Sequence, residues 1–437
     1  MLQSSLTEAA YPEAGLGMPR PALFRNRAYL LLLCAYTLSL FGNSMHSIAL
    51  NLWVLNTTGS ATLMTVMMVT NLLISFLFGS FAGTIADRFN RRTMIWLADL
   101  LRCILVCLIA LAVSQPHPSF TLLVGLSGLV TFLGLFQSPA LQASLITIVG
   151  KEQISRAVGF MNIADNVSRT VGFAVGGIFV AAFGGAMAIL LDGILFLVSC
   201  LLVLLAGAFP ASHARSSTAS SAGVAIQEPK EVHVQSTLRG DFLTGIRYIW
   251  SNPFAKAVTL LSPMLLLFFM SAFMLTQVMA VKVWKASPMQ FGFIEACIPL
   301  GYMLGSGLIV LMGSRMRHRG RLIMGHLLLM GPLYMALSFT SHTTTAIPVI
   351  LLIGYMFSFC TLLITIILRL EIAEELQGRV FGTMGSLMSV APSVGLVISS
   401  YNADLYGSET TMFVTGALLF VFAATCAVRL KVIRSYN

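Results

Sequence analysis

Residues 83–92 read Gly83-Thr84-Ile85-Ala86-Asp87-Arg88-Phe89-Asn90-Arg91-Arg92, and they sit between two apolar runs, residues 62–86 and 93–113. Each run is about as long as the roughly 20 residues an α-helix needs to cross a hydrocarbon core. Lipid offers no partner for a free backbone N–H or C=O, so apolar runs of that length default to helix. The decapeptide is then the connection of a helical hairpin. Its three arginines mark the side on which it lies, because Lys and Arg accumulate on the inner face of a membrane.

The composition agrees with a membrane protein. Of 437 residues, 57% are hydrophobic and 10% are charged, against roughly 25% charged in a soluble domain. Mean hydropathy is +0.88. A soluble protein this apolar would lack the polar surface that keeps it dissolved. The formal net charge of +10 raises nucleic acid as a partner, but the placement of the charges argues against it. The seven cysteines, Cys34, Cys103, Cys107, Cys200, Cys297, Cys360 and Cys426, all lie in apolar runs without zinc-type pairing. They read as packing residues, so neither disulfides, nor a metal, nor any other cofactor is expected. The first 27 residues are polar and contain Pro12, Pro19 and Pro21. The apolar run that follows is too long for a signal h-region and reads as the first membrane helix.

Working outward from the hairpin, the sequence predicts twelve spans: 28–52, 62–86, 93–113, 119–142, 158–183, 186–209, 256–281, 289–312, 321–341, 346–369, 380–404 and 410–431. With the N-terminus inside, 22 of the 26 Lys and Arg residues fall on the inner side. Only Lys282 and Lys285 fall on the outer side, and Arg102 and Arg169 lie within spans. That bias predicts both termini cytoplasmic, in what is expected to be a bacterial plasma (inner) membrane. The basic excess is thereby a topology signal, with a possible pull toward anionic lipid at the inner face.

Residues 210–238 are Ser- and Ala-rich with Pro210 and Pro229, and read as a linker. Behind it, Phe242, Leu243, Ile246, Ile249 and Trp250 share one face of an amphipathic helix expected along the inner membrane surface. The chain divides into a tail (1–27), a first six-helix half (28–209), a cytoplasmic linker (210–255), a second six-helix half (256–432) and a short tail (433–437). The halves carry a residual repeat at an offset of 223: Glu152, Arg156, Gly159, Met161, Val167, Val171 and Gly172 recur as Glu375, Arg379, Gly382, Met384, Val390, Val394 and Gly395. The fold class is therefore an all-α membrane protein of twelve transmembrane helices in two pseudo-symmetric six-helix halves.

With this frame, residues 83–92 resemble the major facilitator signature G-x-x-x-D-R-x-x-R-R. Further stretches are similar to the drug:proton antiporter branch that includes macrolide-efflux proteins and the enterobactin exporter. They are Thr58-Gly59-Ser60-Ala61, Ala98-Asp99-Leu100-Leu101-Arg102, Leu191-Asp192, the segment Gly245 to Pro253, the segment Gly292 to Gly301, and Gly378-Arg379-Val380-Phe381-Gly382. The resemblance covers nearly the whole chain apart from the N-terminal tail and the linker. It implies alternating access by rocking of the halves around a site between them, with Gly83, Asp87, Arg88, Arg91 and Arg92 as a gating motif. Gly83 and Gly79 are expected to allow a close helix crossing. Asp87 is expected to accept from the start of a neighbouring helix, and the arginines to anchor the loop at the headgroups. The branch's fifth helix usually carries G-x-x-x-G-P-x-x-G-G; here Gly172, Gly176 and Gly177 keep the helix-packing glycines, while Ser168 and Phe173 replace the first Gly and the Pro.

Charges inside spans need a reason, since each costs about 2.5–3.5 kcal/mol at a helix centre on insertion scales. Asp99 and Arg102 are spaced i,i+3, and Asp165 and Arg169 i,i+4, so each pair meets on one helix face. The first reads foremost as a self-neutralising pair inside the bundle, with a proton or substrate relay as the alternative. The second reads equally as such a pair or as a proton or substrate relay. Glu295 lies in the outer half of the eighth span with no basic residue within a turn or two. A carboxylate in such a setting favours its protonated form, which makes Glu295 the leading candidate for proton coupling or substrate contact. Asp192 reads as a cap of the sixth span, and His46 as a lone polar group able to titrate. The 29 Phe and 24 Met residues predict a cavity wall rich in aromatic and Met side chains, suited to loosely specific binding of amphipathic compounds.

The reading that results is a secondary active exporter of amphipathic small molecules, of drug or siderophore type, driven by protons and acting as a monomer. Its partners are a small-molecule substrate, protons and the bilayer. A lipid or lysophospholipid translocator and a non-transporting sensor of the same fold are the alternatives. No G-x-x-x-x-G-K-[ST], H-E-x-x-H or G-x-S-x-G occurs, which argues against ATP coupling within the chain and against an intramembrane enzyme.

Overall fold

The computed structural model describes residues 23–86, 89–116, 118–150, 152–207 and 238–436. Fourteen α-helices follow in order: α1 Arg27–Thr58, α2 Ala61–Ala86, α3 Arg91–Val113, α4 Phe120–Val149, α5 Ile154–Phe183, α6 Gly185–Leu205, α7 Leu238–Ser251, α8 Pro253–Lys282, α9 Pro288–Met312, α10 Arg319–Ser338, α11 Thr343–Glu371, α12 Glu374–Tyr406, α13 Ser408–Arg429 and α14 Lys431–Arg434. Twelve of them are long and apolar enough to cross a membrane, six before the linker and six after. The first and last of these begin and end on the same side of the bundle, called here the terminus side; the opposite side is the far side.

Most helices outrun the apolar runs that predicted them. α4 continues to Val149 and α12 begins at Glu374, six residues before the predicted span. Hydropathy measures only the part of a helix that lies in hydrocarbon. The i→i−4 ladder continues into water until a cap or breaker stops it. Asn90 starts α3 by accepting from the Arg92 and Thr93 amides. Ser287 starts α9 through a reciprocal capping box with Gln290.

The pseudo-symmetry is built from equivalent packing. α1 packs on α5 as α8 packs on α12, and α3 on α6 as α10 on α13. Repeat-related Gly172 and Gly395 both sit where a neighbouring helix comes close. A Cβ on Gly172 would lie 2.9 Å from the Phe41 carbonyl of α1, and one on Gly395 would lie 2.6 Å from the Leu267 carbonyl of α8. The repeat runs further than the sequence reading took it. The α5–α6 junction is the single residue Gly184 (φ +84) and the α12–α13 junction is Gly407 (φ +88), again 223 positions apart. Both need the positive φ that glycine adopts without cost.

A continuous buried apolar core includes residues of both halves. The halves meet mainly through α5 against α9 and α2 against α12. α7 is helical, as its spacing predicted, and packs on α12 and α8. Ile249 is buried there, while Trp250 is 65% exposed and lies over the Lys256 ammonium. One expectation fails: a Cβ on Gly79 would meet nothing within 4 Å. α2 presents Leu77 and Phe81 outward at that level, so no partner helix approaches Gly79. The N-terminal tail up to residue 22 and linker residues 208–237 lie outside the described residues.

Candidate functional site

Between the halves lies a cavity of about 400 Å³. The first half contributes His46 and Asn51 from α1, Met67, Met68 and Asn71 from α2, Ser127 and Thr131 from α4, and Arg169 and Phe173 from α5. The second half contributes Phe273 and Gln277 from α8 and Glu295 from α9. The wall mixes two Met and two Phe side chains with amides, hydroxyls and two charged groups, so it is more polar than the predicted Met- and Phe-rich surface. Thr131 donates to Asn71 Oδ1 (3.0 Å). Asn51 Nδ2 donates to Gln277 Oε1 across the interface between halves (3.3 Å).

Glu295 is buried, with 4% of its surface exposed. Among the described residues no cation pairs with it; Gln277 lines the cavity beside it. Arg169 lines the same cavity and is paired with Asp165 of its own helix at 3.1 Å, with side chains 49% and 28% exposed. An ion pair this open to water contributes at most about 1 kcal/mol, so it holds Arg169 only weakly.

Asp99 and Arg102 do form a buried pair, 3.9 Å apart, and they are part of a larger network. Asp99 accepts from Ser199 Oγ (2.6 Å) and from Gln137 Nε2 (2.9 Å). Arg102 Nη1 donates to Gln137 Oε1 (3.1 Å), and its guanidinium lies 4.0 Å from the Phe196 ring centre. Two readings need correction nearby. Asp192 is no cap: it is the eighth residue of α6, wholly buried, and its carboxylate points at α1. His46 is not alone either, since its Nδ1 lies 3.4 Å from Asp192 Oδ2.

Two of the glycines of α5 lie at close helix contacts. A Cβ on Gly176 would lie 3.0 Å from Met45 Cα, and one on Gly177 would lie 2.7 Å from Gly292 Cα of α9. The second contact joins the halves near their far ends.

In the signature loop, Asp87 and Arg88 lie outside the described residues, as does the environment of Gly83. The two remaining arginines serve the protein itself more than the headgroups. Arg91 donates to the Ala143 carbonyl (2.8 Å), and Arg92 donates to the carbonyls of Val203 (3.4 Å) and Leu204 (2.6 Å). The latter are last-turn groups of α6 that lack an intrahelical donor.

The device expected of Asp87, an acid on a helix start, is present at the other side of the bundle. Asp404, in the last turn of α12, accepts from the Ala61 amide (3.0 Å), the Thr62 amide (2.9 Å) and Ser60 Oγ (3.0 Å) at the start of α2. Lys282 Nζ, at the end of α8, lies 3.4 Å away. A charged hydrogen bond at a positive helix end contributes about 1–3 kcal/mol. Asp404→Asn should therefore weaken the far-side contact by roughly that much and shift the balance of conformations about 5- to 150-fold. Distances between spin labels on the far ends of α2 and α12 should broaden toward longer values; an unchanged distribution would dismiss Asp404 as a latch.

Gln277, Asn51, Asn71, Gln137 and Asp404 escaped the sequence reading. All but Asp404 are uncharged polar residues in apolar runs, a weaker signal than charge, and Asp404 stood at a predicted span end.

Residues 32–396 match the sequence profile of the Major Facilitator Superfamily. The chain is 24% identical over 413 residues to the multidrug efflux pump Tap of Mycolicibacterium fortuitum, spanning 93% of this chain and 97% of that one. It is 21% identical over 397 residues to macrolide efflux protein A of Streptococcus pyogenes, spanning 89% and 92%. Its fold superposes on the crystal structure of the nucleoside transporter NupG with a TM-score of 0.67 at 13% identity, over 94% and 100% of the two chains. It also superposes on a bacterial homolog of the human lysosomal transporter Spinster in an inward-facing, unoccupied conformation, with a TM-score of 0.72 at 13% identity, over 95% and 98%. With a profile match running from α1 into α12, on two six-helix halves around one cavity, the chain belongs to the Major Facilitator Superfamily and is a membrane transporter of small molecules, not an enzyme.

Proposed function

We propose that this transporter exports amphipathic small molecules in exchange for protons, by alternating access around the cavity between its halves. The observation that carries the reading is Glu295: a buried carboxyl with no paired cation among the described residues, facing the cavity beside the Gln277–Asn51 bridge that joins the halves. A group held this way takes up and gives back a proton as the cavity changes its exposure. Efflux proteins among its relatives support the direction of transport. Cross-half hydrogen bonds join α1 to α8 and α5 to α9, and α2 to α12 at the far side. With the Gly177–Gly292 contact near the far ends, they support a state closed on the far side, and the Lys and Arg bias supports a cytoplasmic terminus side. Everted vesicles given an imposed proton gradient should accumulate ethidium or erythromycin, and a protonophore should abolish the accumulation. No accumulation of either compound would remove the export reading.

The orientation has its own test. A reporter fused at residue 230 should be active only in the cytoplasm, as should reporters at either terminus. Activity of the residue-230 fusion outside the cell would invert the proposed orientation.

A lipid or lysophospholipid substrate is the second reading. It is favoured by a cavity of about 550 Å³ between α8, α12 and α13, lined by Leu267, Phe268, Asn402 and Thr411, with Ser271 Oγ buried there without a partner. Lysophospholipid that competes with ethidium accumulation, and is itself moved, would favour it.

A further inference from the structure

Asp192 is the least satisfied charged group in the described part of the molecule. It is wholly buried, and neither carboxylate oxygen has a hydrogen-bond partner. His46 Nδ1 is 3.4 Å away, at the outer edge of hydrogen-bonding distance, and it too lacks a hydrogen bond. The site is closely fitted: a Cβ on Gly42 would collide with Asp192 Oδ1. The titratable groups facing it are His46 from α1 and Arg102, Asp99 and Cys103 from α3. The α5 pair Asp165–Arg169 is instead partly open to water, with Arg169 on the cavity.

A charge count shows what is missing. Asp99 and Asp192 would both be negative and Arg102 positive. Arg102 is already committed to Gln137, Asp99 and the Phe196 ring, and Asp99 is satisfied by Ser199 and Gln137. With neutral His46 the cluster is left one positive charge short. An uncompensated buried charge costs several kcal/mol, so the cluster balances by holding one proton on the His46–Asp192 pair. His46 also lines the central cavity, which gives that proton a way in and out.

We propose that Asp192, reached through His46, is a second proton-binding site in the first half of the transporter, separate from Glu295 in the second. A neutral imidazole takes a proton from cavity water at one ring nitrogen and passes the proton on its other nitrogen to the Asp192 carboxylate. Imidazole and carboxylate then end neutral. Release runs the same steps backward, so no group is consumed. The inference rests on the proton-coupled reading only for its use in transport; the protonation of Asp192 stands apart from it.

The test has two arms on the full-length protein. The first is infrared difference spectroscopy of the purified protein between acidic and alkaline pH, with no substrate. The wild type should show the carbonyl band of a buried protonated carboxyl that Asp192→Asn lacks, and His46→Gln, which keeps the acid, should move the frequency of that band. Spectra identical in wild type and Asp192→Asn, or a band unmoved by His46→Gln, would overturn the proposal. The second arm is accumulation of ethidium in everted vesicles under an imposed proton gradient. Asp192→Asn should lose the gradient-driven accumulation while still exchanging ethidium at equilibrium. Asp192→Asn accumulating ethidium like the wild type would deny Asp192 a part in coupling. A wild type that moves no ethidium would sink the export reading and leave the infrared result standing.

Discussion

Glu295→Gln is expected to bind and exchange substrate normally while losing gradient-driven accumulation, by about 10-fold or more. The amide preserves the size of the group and its place beside Gln277, and it imitates the protonated acid permanently. A carrier fixed in that state can equilibrate substrate but cannot spend a proton gradient. Glu295→Ala should lose more if the carboxyl touches substrate, because the lost contact then costs about 1–3 kcal/mol. Asp165 and Asp99 should show milder coupling defects, since both are already paired. Uptake of ethidium into everted vesicles distinguishes the cases. Full accumulation by Glu295→Gln would remove it from the mechanism and transfer the role to Asp165 with Arg169.

The second large effect concerns the contact between halves at Gly177 and Gly292. A Cβ on Gly177 would lie 2.5 Å from the Pro288 carbonyl and 2.7 Å from Gly292 Cα, and both are backbone. Gly177→Val therefore forces α5 and α9 apart. Overpacking of this kind costs about 1–3 kcal/mol, here charged only to the far-side-closed state. Transport should fall about 10- to 100-fold while membrane insertion is unaffected, and spin labels near the far ends of α5 and α9 should separate. Gly184→Ala is a useful control for expression, because it strains a junction without entering the interface. Normal transport by Gly177→Val would mean that the halves need not meet there.

The twelve spans were legible because lipid imposes a single requirement, enough consecutive apolar residues, and hydropathy reports it directly. Their ends were less legible. Glu374, Glu375, Gln377 and Arg379 are polar and yet helical in α12, since they belong to the part of the helix beyond the apolar run. Glu295 was legible as a buried acid from its neighbours in sequence alone. Asp192 was not: its environment is made by His46, 146 positions earlier, and by Gly42 and Arg102, all on other helices. Asp404 likewise acquires its role only when α12 meets the start of α2. Gly79 shows the converse error, in which a small residue suggested a crossing that the packing does not make. Pair spacing within one helix predicted Asp165–Arg169 and Asp99–Arg102 correctly, but spacing carries no information on which pair faces the cavity.

The most direct test of proton exchange needs no applied proton gradient. Proteoliposomes loaded with ethidium, with equal pH on both sides and a pH-sensitive dye inside, are diluted into ethidium-free buffer. If substrate and protons move in opposite directions through the same cavity, ethidium leaving should bring protons in and acidify the lumen, and Glu295→Gln liposomes should release ethidium without that acidification. Ethidium efflux through the wild type with no change in internal pH would contradict proton-coupled exchange.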